Sequence, residues 1–304
     1  MNVLRATEVL STGWCPLNCA YCYIPKTELM NQSRRETEID LKSGAFLKRL
    51  EIVYGKDLTH FSLWGTEPTS TLPVIQKFLP QLFQNFPKLQ QISFSTSLMV
   101  YPERILELIR SLIGRKIELS IQISLDGPAF ITDINRVKGA AERIPVNFLT
   151  ILRKINKWNL GELRVTFGWK ATHSIDNIRL FVKHPEKVDE YFKYFDDLRT
   201  QFEKINIQKN VTLRGSEIPT LVIPGKYTSE DGKQFCKYLR EIHKRGRTSA
   251  YTPRLKKILN FSSEIYKRRA FSCSGGDSSL GIGKQIHLCH RTFYLNREDY
   301  VNAI

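Results

Sequence analysis

Apolar and polar positions along this chain follow two periods. Short runs that are continuous or apolar at every second residue fall at Glu8–Thr12, His60–Trp64, Gln91–Ser95, Glu118–Ser124 and Glu162–Trp169, and they predict five β-strands. Between them the apolar spacing changes to three and four, which predicts helices over Leu41–Tyr54, Pro73–Phe83, Pro102–Ile113 and Val146–Trp158. Ser174, followed by Asp176 and the Ile175/Ile178/Leu180/Phe181 pattern, predicts a helix with a serine N-cap after the fifth strand. A sixth strand is expected around Thr220–Ile223, before the turn at Pro224 and Gly225.

Strands that alternate with helices imply an α/β fold whose parallel strands are joined by right-handed crossovers. The expected architecture is a partial (β/α)6 TIM-like barrel with a small C-terminal extension. From about Tyr227 the alternation stops. Thr228–Arg245 and Pro253–Arg268 read as helices, and a glycine-, serine- and cysteine-bearing segment, Ser272–His290, follows. The expected division is therefore 1–227 for the core domain and 228–304 for the extension.

Composition narrows the function classes. With 304 residues, 41% hydrophobic and 25% charged, the chain matches an ordinary globular protein. It has no run of about 18 apolar residues, so no membrane span is expected. Its start lacks the apolar core of a signal peptide. Six cysteines are too few for a disulfide scaffold, and their clustering favours metal ligation in a reducing cytoplasm. The formal charge of +16 attracts polyanions and acidic partners without naming one. The densest basic stretches are Lys244–Arg247, Arg254–Lys257 and Lys267–Arg269. No nucleic-acid-binding module accompanies them, so solvated basic faces compete with nucleic-acid binding.

Candidate chemistry concentrates after the first strand, where Cys15, Cys19 and Cys22 stand in Cys-x3-Cys-x2-Cys spacing with Tyr21 before the third cysteine. Thiolates select iron–sulfur clusters, zinc or copper(I). Structural zinc wants a fourth ligand in a closed site, whereas three thiolates on a four-iron cluster leave one iron open. In a barrel, chemistry gathers at the carboxyl ends of the strands. Three further segments fall there: Trp64 to Pro68 after the second strand, Thr96-Ser97 after the third, and Ser124 to Pro128 after the fourth. Taken singly, the Gly65–Pro68, Ser124 and Asp126 positions read equally well as turns or caps.

The run Cys15-Pro-Leu-Asn-Cys19-Ala-Tyr-Cys22-Tyr23 resembles the signature of the radical S-adenosylmethionine (radical SAM) superfamily. Gly65-Thr66-Glu67-Pro68 resembles that superfamily's Gly-Gly-Glu-Pro turn, and Ser124-Leu-Asp126-Gly-Pro recurs in the expected order. The resemblance covers roughly residues 5–225. It implies that Cys15, Cys19 and Cys22 bind a 4Fe–4S cluster whose fourth iron is chelated by S-adenosylmethionine. One electron then cleaves the sulfonium and yields a 5′-deoxyadenosyl radical, which abstracts hydrogen from a substrate. It also implies a cofactor-binding role for seven residues. Tyr21 lies on the adenine side, and Gly65, Thr66 and Glu67 meet the methionine amino group. Ser124 and Asp126 meet the ribose or the methionine carboxylate, and Arg136 pairs with a carboxylate. Thr96-Ser97 departs from the family's usual Thr-Asn pair and stays unassigned. An electron donor such as flavodoxin or ferredoxin is implied as a partner.

The tail carries a second, partial resemblance. Cys273 and Cys289, with Gly281 and Gly283 between them, resemble the first half of the SPASM extension that houses auxiliary clusters. The further cysteines of a full extension do not follow before Ile304. One auxiliary iron–sulfur cluster, a lost cluster and a partial chain are all open readings. So are zinc held with His287 or His290, and a buried cysteine pair. Cys236, in a helical pattern, is expected to be buried and inert. Relatives with this extension mostly modify peptides or proteins, which implies a peptide or protein substrate. His290 stands where sulfatase-maturating members carry an aspartate, which weighs against that activity. The 14 residues before Cys15 are too few for a leader-peptide-binding domain. An RNA-modifying enzyme and a non-catalytic metal-binding relative are the alternatives.

Overall fold

The computed structural model describes residues 5–10, 15, 17–22, 35, 38–221, 229–245, 279–281 and 286–287. Six parallel strands form the sheet: β1 (Arg5–Leu10), β2 (His60–Gly65), β3 (Gln91–Thr96), β4 (Glu118–Ser124), β5 (Arg164–His173) and β6 (Val211–Leu221). They lie in the order in which the chain makes them. Beyond β1 the sheet continues with β7 (Ser279–Gly281), parallel to β1, and β8 (Ile286–His287), antiparallel to β7. The longer helices are α1 (Ala45–Tyr54), α2 (Leu72–Asn85), α3 (Pro102–Leu112), α4 (Ala129–Asn135), α5 (Ala140–Ile155), α6 (Ile175–Lys183), α7 (Glu186–Glu203) and α8 (Ser229–Lys244).

The period-2 pattern decides which face the helices cover. Phe61, Ile92, Leu119 and Val165 share one row across β2 to β5, and Leu63, Phe94, Ile121 and Phe167 share the next; all are buried. Phe46 of α1 and Phe78 of α2 pack against one another, and Phe46 also meets Phe61. Phe148 of α5 meets Phe167, while Trp169 stacks against Phe195 of α7. Each aromatic side chain of this size removes a large apolar area from water. Residues of opposite parity make a polar row, Ser62, Ser93, Ser120 and Thr166, in which the Ser62 and Ser93 hydroxyls lie 2.6 Å apart. The sheet therefore has one face dry and helix-covered and another lined by hydroxyls. A closed barrel is not among the pairings of the described residues, since β6 ends the sheet.

The predicted strands are present, with three corrections: β1 begins at Arg5, three residues before its expected start at Glu8. β5 runs on to His173 rather than stopping at Trp169, and β6 begins at Val211, nine residues before its expected start at Thr220. Arg214, Gly215 and Pro219 break the apolar pattern of β6, and Pro is tolerated there because the strand lies at an edge of the sheet. The Ser174 cap forms a reciprocal capping box with Asn177. Two helices were not expected, α4 and the 18-residue α7. Val188, Tyr191, Phe192, Phe195, Leu198 and Phe202 of α7 are all buried, at helical spacing. The expected helix over Pro253–Arg268 lies outside the described residues. Among the described residues no helix is long and apolar enough to cross a membrane.

Candidate functional site

The cysteine loop follows β1 at the carboxyl end of the sheet. Leu17 and Tyr21 are buried and anchor it, while Cys15 and Cys19 are half-buried against the core and Cys22 is exposed. The Cys22 amide donates to the Cys19 carbonyl at 3.0 Å, which closes a tight turn. The Ala20 amide donates to the Asn135 carbonyl at 2.8 Å and ties the loop to the end of α4. Three soft ligands on one short loop suit an iron–sulfur cluster by donor chemistry. Among the described residues no three His, Cys, Asp or Glu side chains converge on one metal-holding point.

Beside this loop lies a buried carboxylate, Asp126, just past the end of β4 and 0% exposed. The Tyr21 hydroxyl donates to its Oδ2 at 2.7 Å, and Arg136 Nη2 donates to its Oδ1 at 2.9 Å. Arg136 Nε lies 2.8 Å from Oδ2 as a close ion contact, while Nη2 makes the hydrogen bond. The Thr172 amide donates to Oδ1 at 2.9 Å, and His173 Nε2 lies 3.1 Å from the Asp126 carbonyl, to which its N–H donates. Arg136 Nη1 faces Cys19 Sγ at 4.0 Å, and its guanidinium carbon lies 5.6 Å from the Tyr21 ring centre. Gly127 is required here. Its φ is +132°, and a Cβ would lie 2.6 Å from the buried Tyr191 ring.

Electrostatics follow from this packing. Burial, and then the Asp126 charge, raise the Tyr21 pKa well above its ordinary value, so the phenol stays a donor. Burial disfavours the Arg136 charge, but Asp126, and then Tyr21 and Cys19, outweigh it and raise its pKa. Burial pushes His173 down to about 4, against weaker opposing effects of Asp126. His173 Nδ1 lies 3.5 Å from the hydroxyl of Tyr238 on α8, and both rings pack on Phe181.

A second buried carboxylate, Glu67, follows β2. It caps the one-turn helix Pro68–Ser70, accepting from the Thr69 amide at 3.3 Å and the Thr69 hydroxyl at 2.9 Å. The Thr96 hydroxyl at 2.7 Å, the Ser97 amide at 2.9 Å and the Ser97 hydroxyl complete its partners. Thr96 and Ser97, which the sequence left without a role, thus clasp the end of β2 to the end of β3.

Of the sequence-predicted residues, the fold brings Cys19, Tyr21, Asp126 and Arg136 into one network. Glu67 sits in a separate one. Gly65 ends β2, Thr66 is half-buried beyond it, and Ser124 ends β4 in register with Lys170. Cys273, Cys289, His287 as a side chain and His290 lie outside what is described. Cys236 is exposed on α8, contrary to the expectation of burial; its helical neighbour Tyr238 is the buried one. Thr172, His173 and Tyr238 were missed. The signal was available in Lys170–His173, which extends the polar–apolar alternation of β5 to the same rim.

No protein-family model matches this sequence, and no curated protein matches it either. Solved structures do match. Native anSMEcpe with bound AdoMet aligns at TM-score 0.51 and 16% identity, covering 95% of this chain and 74% of that one. A histidine-tagged form of anSMEcpe with bound AdoMet aligns at TM-score 0.51 and 16% identity, covering 95% and 72%. Native anSMEcpe with bound AdoMet and the Cp18Cys peptide aligns at 0.49 and 17%, covering 95% and 75%. The chain shares the fold of anSMEcpe, with 95% of its length covered by the alignment.

Proposed function

We propose that this chain is a radical SAM enzyme acting on a peptide or protein side chain. The observation that carries the reading is the Cys-x3-Cys-x2-Cys loop at the carboxyl end of β1, fastened through Tyr21 to the Asp126–Arg136 pair beyond β4. The shared fold with anSMEcpe supports it. Cys15, Cys19 and Cys22 hold a 4Fe–4S cluster. When bound, the cluster supplies the electron that cleaves S-adenosylmethionine to a 5′-deoxyadenosyl radical, which removes hydrogen from the substrate.

The remaining roles belong to the chain's own groups. Tyr21 presents a ring held still by Asp126. Gly65 and Thr66 offer backbone carbonyls to the methionine ammonium, while the Glu67 carboxylate, already engaged by five donors, adds negative charge and holds their turn. Ser124 and the outer N–H groups of Arg136 receive the cofactor's hydroxyls or carboxylate. Asp126 acts through Arg136 and Tyr21. The hydroxyl row Ser62, Ser93, Ser120 and Thr166 suits a polar chain rather than an apolar substrate.

The sheet curls into a partial (β/α)6 barrel over 1–227, with 228–304 as the extension. Cys273 and Cys289 hold an auxiliary iron–sulfur cluster, the electron donor is a flavodoxin or ferredoxin, and the enzyme works in the cytoplasm.

The test is anaerobic reconstitution with iron and sulfide, followed by dithionite and S-adenosylmethionine. The expected product is 5′-deoxyadenosine, measured by mass spectrometry. A loaded cluster that yields none removes the reading, as does zinc in place of iron. About four irons per chain means one cluster and about eight means two. The +16 charge favours a second reading, in which RNA is the substrate. Salt-sensitive RNA binding would support it, and no RNA affinity at low salt would exclude it.

A further inference from the structure

We propose that Arg136 is a positioning residue that raises the reduction potential of the cluster through Cys19, with Asp126 holding it in place. This rests on the radical SAM reading above. A guanidinium carries five N–H donors. Asp126 takes a hydrogen bond from Arg136 Nη2 and an ion contact from Nε, and Nη1 is directed at Cys19 Sγ, 4.0 Å away.

Three links set that separation. Tyr21, two residues along the loop from Cys19, donates to the same carboxylate that holds the guanidinium. The Ala20 amide is bonded to the carbonyl of Asn135, the residue before Arg136. Asp126 is itself fixed from the far side by the Thr172 amide and by His173. Loop, cation and carboxylate thus share one frame. The ion pair is neutral as a whole, but its positive end points at the sulfur. Arg136 is only 8% exposed, so water screens it little. A donor or positive pole beside a ligating sulfur draws electron density from it and stabilises the reduced cluster, which carries one more negative charge. Cys19 lies in hydrogen-bond reach of this guanidinium, so the effect enters the cluster at that ligand.

The experiment reads the midpoint potential of the anaerobically reconstituted full chain in a mediator-buffered dithionite titration, followed by electron paramagnetic resonance. Arg136→Met removes the cation and leaves Asp126 charged, so the potential falls. Asp126→Asn leaves the cation uncompensated, so the potential rises. The double variant Asp126→Asn/Arg136→Met removes a neutral pair, and its potential falls less than that of Arg136→Met. Opposite signs in the two single variants are a signature that mere loosening of the loop does not produce. Single variants that move in the same direction, or not at all, overturn the proposal.

If Arg136→Met does not retain a cluster, Arg136→Lys keeps a charge but places it farther from Cys19; a potential below that of the wild type supports the proposal, and an unchanged one overturns it. Loss of the cluster from every variant, with normal circular dichroism, overturns tuning in favour of a purely structural pair. A wild-type chain that takes up no iron and sulfide fails at the loading step, which identifies the radical SAM reading itself as the error.

Discussion

Asp126 and Glu67 are both carboxylates buried at strand ends, yet their surroundings differ in kind. Among the described residues Glu67 is met by neutral donors, two amides and three hydroxyls from Thr69, Thr96 and Ser97. Asp126 is met by a cation, a phenol and an amide, with an imidazole on its own carbonyl. Neutral donors can cage a charge without creating a second one, which is enough to clasp two turns together. An ion pair creates a directed field, and the one at Asp126 is aimed at the cysteine loop. The clasp shapes the rim; the pair places a cation beside Cys19 of the cysteine loop.

The largest break in this comparison is expected from Arg136→Met. It strands a buried carboxylate, and losing one partner of a buried pair costs about 3–5 kcal/mol. Urea denaturation of the unloaded protein should show a large fall in stability. A loss under about 1 kcal/mol would mean that water reaches Asp126.

Protons separate the two carboxylates next. The Glu67 partners do not titrate in the ordinary range, whereas His173 beside Asp126 has its pKa pushed down to about 4. The unfolded chain takes up this proton near the ordinary histidine value of about 6.5, and the folded chain does so only near 4. Between these values the unfolded state binds more protons, so stability falls as pH is lowered. The loss amounts to roughly 3 kcal/mol by about pH 4. His173→Gln should flatten the stability profile between about pH 6.5 and 4. Equal slopes in both proteins would contradict the assignment.

How much of this was visible in the sequence depends on range. The strands of strict alternation, such as Glu118–Ser124, are set by neighbours two residues apart and were legible to the residue. So was the Ser174 cap, a contact over three residues. β6 was displaced because a charged, glycine- and proline-bearing edge strand lacks the apolar signature of a central one. α7 was overlooked although Val188 to Phe202 keep helical spacing throughout. In the candidate site, spacing gave Cys19, and the resemblance to the radical SAM signature added Tyr21, Asp126 and Arg136. They did not give the pairing of Tyr21 with Asp126, 105 residues apart, or of Thr96 and Ser97 with Glu67. Such contacts depend on which strand ends lie side by side, and a linear pattern carries no record of that.

The neutral cage supplies the smaller effects. Glu67→Gln replaces one acceptor oxygen with an N–H2 group that meets donors head-on, at a cost of about 1–3 kcal/mol. The finest test is Ser97→Ala. It deletes one hydroxyl from Glu67 but leaves the Ser97 amide, the Thr96 hydroxyl and both Thr69 donors in place. A charged acceptor with four remaining donors keeps most of its solvation, so the expected loss is about 1 kcal/mol by thermal or urea unfolding. The Ser97 hydroxyl also lies 3.3 Å from the Met99 amide, which the substitution leaves without that acceptor. Asp126 should not register the change, because the two carboxylates share none of these donors. The stability loss of the double variant Ser97→Ala/Arg136→Met should therefore equal the sum of the singles within about 0.5 kcal/mol. A larger coupling would mean that the clasp and the pair form one unit, and that the rim is shaped by the same charges that act on the loop.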